Sequence, residues 1–424
     1  FDADLIRSIY CYTFDLIQVN DASIQADFDG STVFVAESND ISTINYSPNG
    51  FNGNIDFFVN THPKFGSILI VNGEQNESYI SEIQHVRRRE TIAMTPINCL
   101  AALNELTGRP VIDTGSNVEA NKASVLKSIK EITVSPTKAL VGSSGLSVQY
   151  AIMMGLIDHA QENHPGKAIK FVVPPNCYGG TNDQARRVAA CLPNVEVMDL
   201  PVDGGNNMVQ SVQIVLDKIA AEDAIPYIIA EIPTNPRVEV PDLPKLRDAL
   251  SQERKTPSGK TAIDPVFILD QTFCPNVHFL GENDILSSVR TISYVSGSKF
   301  PSGGKCTAGY CVGNAKTEDL MERIESHMQL CENEATDMQL EFLAAQLPSM
   351  NQRIHDAYIN TREFVNFIQK TLPAAKINFV SEELAAQGFT PSVFSLDLPT
   401  KGNTDEEREA YKRALNHKLI NLMI

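Results

Sequence analysis

Apolar and polar positions change rhythm near residue 100. Before it, short β-type runs over 31–36, 55–60 and 67–71 are separated by clusters of Gly, Asn, Asp and Pro, such as Ser47-Pro48-Asn49-Gly50. Beyond it, strand and helix patterns alternate. Helical spacing over 119–132 leads to a short apolar strand at 139–141, a turn, and a long helix-type segment at 146–161. Apolar strands follow at 168–173, 195–200, 227–232, 266–269 and 289–295, with helix-type stretches between several of them. Continuous apolar strands alternating with helices predict an α/β fold, its mostly parallel sheet covered by helices on both faces. Helical spacing over 317–347 and 351–372, a strand candidate at 392–398 and a charged helix over 405–419 predict a smaller C-terminal α+β unit. The pattern thus predicts an N-terminal extension (1–100), an α/β unit (101–315) and a C-terminal unit (316–424).

Composition narrows the classes of function. The chain has 424 residues, 42% apolar and 21% charged, so it can bury a large core without disulfide or metal staples. Lys and Arg total 35 against 52 Asp and Glu, a net charge of −17 that repels phosphate backbones. The longest basic run, Arg87-Arg88-Arg89, is too short to reverse this, so no nucleic-acid partner is expected. No stretch approaches the roughly 18–20 uninterrupted apolar residues of a membrane span. Asp2, Asp4, Arg7 and Asp15 argue against a signal peptide. Eight cysteines without a C-x-x-C pair read as reduced thiols of a cytoplasmic protein, and no metal site is expected.

Five segments carry candidate chemistry, and each directly follows an apolar strand or closes one. Ligands of such sheets bind outside the carboxyl ends of the strands. Gly142-Ser143-Ser144-Gly145-Leu146 joins a strand to a helix, where unobstructed backbone N–H groups can bind an anion. Asn176-Cys177-Tyr178-Gly179-Gly180-Thr181 places a tyrosine ring before two glycines, where it can lie on a flat ligand. Glu231-Ile232-Pro233-Thr234-Asn235-Pro236 uses two prolines to fix the backbone around Asn235. Asp270 ends the strand Phe267-Ile268-Leu269, where a carboxylate is costly without a cation. Ser293-Tyr294-Val295-Ser296-Gly297-Ser298-Lys299 ends another strand with a lysine, followed by Gly303, Gly304 and Gly309. Each segment alone also reads as an ordinary turn, cap or surface lysine. Together they supply what pyridoxal 5'-phosphate needs: a phosphate cradle, a stacking ring, an aspartate for the pyridine nitrogen and a lysine for a Schiff base.

With these motifs the chain resembles the Cys/Met metabolism family of pyridoxal-phosphate enzymes, which includes cystathionine γ-synthase, cystathionine lyases and methionine γ-lyase. The resemblance covers roughly residues 115–315 well and the following region more loosely. It implies the fold of aspartate aminotransferase, with a seven-stranded sheet, and a lyase or transferase of sulfur amino-acid metabolism. It also implies a homo-oligomer, dimer or tetramer, acting on a small amino-acid substrate by β/γ-elimination or replacement. By the same resemblance Lys299 carries the Schiff base, Asp270 pairs with the pyridine nitrogen and Tyr178 stacks on the ring. Ser144, Gly145, Leu146, Ser296 and Ser298 hold the phosphate, and Asn235 and Thr272 line the cofactor's other edge.

Three departures bear on the reaction. The family's Tyr-x-Arg segment corresponds to Thr114-Gly115-Ser116-Asn117-Val118, which has neither residue; Arg109 lies nearby without a spacing that assigns it the role. The family's Gly-His-x-Asp after the lysine is replaced by Gly303-Gly304-Lys305-Cys306. Its substrate-carboxylate arginine is expected just past Ile424, so either the sequence is truncated there or another residue does that job, Arg237, directly after Asn235-Pro236, being a candidate. Another pyridoxal-phosphate reaction on the same fold, such as transamination, and a catalytically weakened scaffold are the alternative expectations.

Overall fold

The computed structural model describes residues 23–28, 31–37, 56–62, 66–71, 73–81, 83–84, 96–110, 117–203, 207–331 and 333–423. Strands β1 (Ser23–Phe28), β2 (Ser31–Glu37), β3 (Phe57–His62) and β4 (Gly66–Val71) form a sheet in that order, with β2 and β3 parallel. The last three match the runs expected from the sequence within a few residues. The Ser47–Gly50 turn and the Arg87–Arg89 run lie outside the described residues. Helix α1 (Pro96–Leu106) follows, with Arg109 exposed just beyond it.

The central unit runs α2 (Val118–Thr133), β5 (Leu140–Gly142), α3 (Gly145–Asn163), β6 (Ile169–Val173), α4 (Gly179–Ala190), β7 (Val195–Asp199) and α5 (Met208–Ala221). It continues with β8 (Ile225–Glu231), α6 (Leu243–Ser251), β9 (Val266–Asp270), β10 (Thr291–Ser296) and β11 (Gly309–Gly313). Among the described residues these strands build one seven-stranded sheet, ordered β5-β11-β10-β9-β8-β6-β7. The pairings from β10 through β9, β8 and β6 to β7 are parallel, whereas β11 is antiparallel to both β10 and β5. The α/β class and the mostly parallel sheet are therefore as expected. The sequence pattern misses β11, which interrupts the parallel order.

The sheet's two faces explain its unbroken apolar strands. Successive side chains of a strand point to opposite faces. Val172, Ile228, Ala230, Phe267, Leu269 and Tyr310 pack on one side with residues of α2, α5 and α6. Phe171, Val173, Tyr227, Ile229, Ile268, Tyr294 and Cys311 pack on the other with residues of α3 and α4. Both faces are covered, which keeps the strands largely apolar until they reach their ends.

The region after 315 departs from the expected single helical run. Helix α7 (Glu318–Leu330) stops at Cys331, and α8 (Asp337–Gln346) restarts at a capping box in which Thr336 and Gln339 satisfy each other's end groups. Helix α7 packs along α3, and α8 along α2. The remaining elements are α9 (Met350–Thr371), β12 (Lys376–Asn378), α10 (Glu382–Ala386), β13 (Ser395–Asp397) and α11 (Asp405–Met423), with β12 and β13 paired antiparallel. No described helix is long and apolar enough to cross a membrane.

Candidate active site

Strand ends converge on one cavity of about 370 Å³. Its first wall is the turn from β5 into α3. Ser144 is the N-cap of α3: its side chain accepts from Ser147 N at 3.0 Å, and Ser147 Oγ accepts from Ser144 N at 2.9 Å. Ser144, Gly145 and Leu146 line the cavity. The helix's first N–H groups and its dipole favour an anion at this position.

Two glycines make that turn possible. A Cβ on Gly309 would fall 2.4 Å from Ser144 O and 2.8 Å from Gly145 N, both backbone atoms. A Cβ on Gly145 would lie 3.0 Å from Cα and Cβ of Ser296. The turn is thereby pressed against the end of β10, where Ser296 Oγ and Ser298 Oγ are 2.9 Å apart and both residues line the cavity. Lys299 follows directly and lines the same cavity. Its loop is tied down by Gly297 N to Ala308 O at 2.6 Å and by Gly304 N to Lys299 O at 3.1 Å.

Another part of the lining is aromatic and amide-bearing. Tyr178 sits at the N-terminus of α4 with about half its surface exposed (51%). Its ring folds back over Gly180, where a Cβ would meet Cε1 of Tyr178 at 2.5 Å. Asn235 lies between two cis peptide bonds, Ile232–Pro233 and Asn235–Pro236, and lines the cavity with Pro233. Thr272 bridges two strand ends: its N–H donates to Asp270 Oδ1 at 2.9 Å, and its hydroxyl accepts from Ser296 N at 3.0 Å.

The floor holds Glu231, Asp270 and Tyr294. Only Asp270 is expected there from the sequence; Glu231 and Tyr294 lie within the motifs but carry no signal of a role. Register places Glu231 opposite Asp270, and Asp270 opposite Tyr294, on three adjacent parallel strands. All three line the cavity. The Tyr294 hydroxyl donates to Gln149 Oε1 at 2.9 Å, and burial holds its proton on. Burial also raises the Asp270 pKa, with Thr272 and Tyr294 pulling it back. Glu231 is pushed up to about 8 by burial and then by the Asp270 charge, against two backbone N–H bonds that favour its ionised form. Burial first, then Glu231 and Asp270, push the Cys177 thiol up to about 12, which leaves it no nucleophile at neutral pH.

The structure therefore brings Ser144, Gly145, Leu146, Tyr178, Asn235, Asp270, Thr272, Ser296, Ser298 and Lys299 around one cavity. Arg237, half-buried beyond the second cis proline, is not among the lining residues. Gln149, Thr181, Phe273 and Thr307 also line it and carry no sequence signal.

This is an α/β protein with a cavity at the carboxyl ends of its parallel strands, lined by a helix N-terminal turn, a lysine and two buried carboxylates. No family model matches its sequence, and no characterised protein sequence matches it. Among solved structures, cystathionine γ-lyase (CalE6) from Micromonospora echinospora aligns at 16% identity and TM-score 0.49, covering 66% of this chain and 67% of that one. MetB from Corynebacterium glutamicum aligns at 16% identity and TM-score 0.49, covering 64% of each chain. Cystathionine γ-lyase from yeast aligns at 18% identity and TM-score 0.48, covering 64% and 62%. Apart from the first, these alignments span less than two thirds of the solved chain, and at such scores they bear on neither substrate nor reaction.

Proposed function

We propose that the cavity holds pyridoxal 5'-phosphate and that the chain is a lyase or transferase acting on sulfur-containing or γ-substituted amino acids. The observation that carries this reading is the meeting of Lys299 with a buried carboxylate pair and a helix-N-terminal turn in one cavity. Two adjacent buried carboxylates resist ionising together, and a cationic ring nitrogen beside them would let both carry charge. The Gly145 turn packs on Gly309 so closely that a Cβ there would collide with Ser144 O and Gly145 N. The donor set fits the cofactor at both ends.

The cofactor, when bound, supplies an electron sink for a carbanion at the substrate's α-carbon. The chain's own residues do the rest. Backbone N–H groups of Gly145 and Leu146, with the hydroxyls of Ser296 and Ser298, hold the phosphate. Asp270, seated by Thr272 N–H, keeps a proton on the ring nitrogen. Tyr178 would cover a bound ring, and Asn235 and Thr272 would line its other edge. Lys299 offers the amine that links to the cofactor's aldehyde. Its amine, when free, would take the substrate's α-proton and return it at the neighbouring carbon or the leaving group. Elimination or replacement of a β- or γ-substituent follows from that proton movement. Arg237 remains the candidate for the substrate carboxylate, from a position just outside the cavity lining. A homo-oligomer, dimer or tetramer, in a cytoplasmic setting completes the reading.

The test is a visible absorption titration of the purified protein with pyridoxal phosphate, followed by assays of pyruvate and 2-oxobutyrate release from cystathionine, cysteine and methionine. A new absorption band that borohydride fixes to Lys299, and keto-acid release, support the reading. A protein that stays colourless overturns it.

A further inference from the structure

Glu231 makes contacts that neither its strand nor its charge requires. It is the last residue of β8 and is buried beside a second buried carboxylate. Its two oxygens reach in different directions. Oε1 accepts from Tyr178 N at 2.8 Å, and Oε2 accepts from Asn235 N at 3.1 Å. Those amides belong to the two loops that form the ring wall and the facing edge of the cavity. Tyr178 is the N-cap of α4, and its own side chain makes no capping bond. One oxygen would answer that end; the second bond, to the β8–α6 loop, is left unexplained by helix capping.

We propose that Glu231 is a positioning residue: a carboxylate brace that fixes the backbones of Tyr178 and Asn235 to the end of β8, so that the two walls of the cavity keep one spacing. The inference rests on the reading of the cavity as a pyridoxal-phosphate site for the identity of the ligand, but the brace itself belongs to the unliganded protein. The chemistry favours a carboxylate. It accepts at both oxygens, whereas a glutamine offers one acceptor and turns an N–H₂ toward the other amide. An aspartate is one methylene short. Bonds to a charged acceptor are also stronger than neutral ones. A ligand cation beside Asp270 offsets the repulsion between the two carboxylates, so ligand binding reinforces the brace.

The test uses hydrogen-exchange mass spectrometry on the cofactor-free protein at about pH 9, above the value of about 8 to which the Glu231 pKa is raised, wild type against Glu231→Gln. Peptides covering residues 174–180 and 231–236 should both exchange about ten- to a hundredfold faster, the loss of a hydrogen bond to a charged group. Peptides from β11 should not change. The dissociation constant for pyridoxal phosphate should rise by a similar factor. Loosening of one segment alone, or of neither, overturns the brace. If Glu231→Gln does not fold, Glu231→Asp is read by the same two peptides with the same criterion. A wild type that takes up no pyridoxal phosphate while both segments loosen in the variant sinks the proposed function and upholds the brace. A wild type that binds it while the variant's segments stay protected does the reverse.

Discussion

Glu231 and Asp270 are register partners at the last positions of adjacent parallel strands, and both line the same cavity. Neighbouring strands of a sheet lie about 5 Å apart, so two ionised carboxylates there repel in a medium that screens them poorly. The fold tolerates the pair because each is tied to backbone N–H groups, Asp270 to Thr272 and Glu231 to Tyr178 and Asn235. The proton affinity of Glu231 therefore depends on the charge its neighbour carries.

The unliganded protein should lose stability as pH rises. Both carboxylates have folded pKa values above their unfolded ones, Glu231 at about 8 against 4.5. The native state therefore holds more protons than the unfolded chain between about pH 4.5 and 8, and stability falls across that window. Glu231→Gln removes this contribution. Its stability relative to wild type should improve by on the order of 2 kcal/mol between about pH 5 and 8, measured by urea denaturation at both. A difference that does not change with pH would contradict the assignment.

Replacing Asp270 by Asn keeps a carbonyl oxygen for Thr272 N–H but removes the charge proposed to hold a proton on the ring nitrogen. Turnover should fall by about 10²-fold or more while the protein still binds pyridoxal phosphate. Steady-state kcat with saturating cofactor is the measurement, and an unchanged kcat removes Asp270 from the chemistry.

Lys299→Ala should bind the cofactor without any adduct that borohydride can trap, and its activity should drop by about 10²–10⁴-fold. Mass spectrometry after reduction reads the first outcome. Trapping at another lysine would move the role away from Lys299.

Gly309→Ala forces a Cβ to within 2.4 Å of Ser144 O, a clash with backbone that no side-chain rotation relieves. It should destabilise the protein by about 1–3 kcal/mol and weaken binding of inorganic phosphate. Gly179→Ala is the contrast, because a Cβ there, at the start of α4, would meet nothing within 4 Å. It should stay within about 0.5 kcal/mol of wild type. Thermal melts with and without phosphate distinguish the two.

Much of the site is legible in the sequence because polar residues end apolar strands. Ser296, Asp270 and the turn at Ser144 interrupt runs whose two faces are both buried, so their chemistry stands out against Val, Ile and Phe. Strand β11 is not legible, since Tyr310-Cys311-Val312 between glycines is too short to show a period. The break between α7 and α8 is hidden because Thr336 and Gln339 cap a helix without Gly or Pro marking it. Glu231 reads as a rigid-loop residue because its partners are backbone amides, which no side-chain pattern reveals. Strand β1 alternates Ser, Gln and Asp with Ile, Ala and Phe, a period-2 strand pattern that is present in the sequence although the expected runs begin only at residue 31.

The pairing of β5 with β11 has a temporal meaning. Gly142 and Gly309 face each other in register, and the turn that follows β5 is held against Ser296 and Gly309. A chain emerging from the ribosome exposes β5 first and must keep it waiting at the edge until β11 has been made. A nascent chain ending just after Lys299 would already carry the lysine, the aspartate and the tyrosine, yet its anion cradle would still be open. If the Gly145 turn holds the phosphate as proposed, its capture waits for the last strand of the sheet.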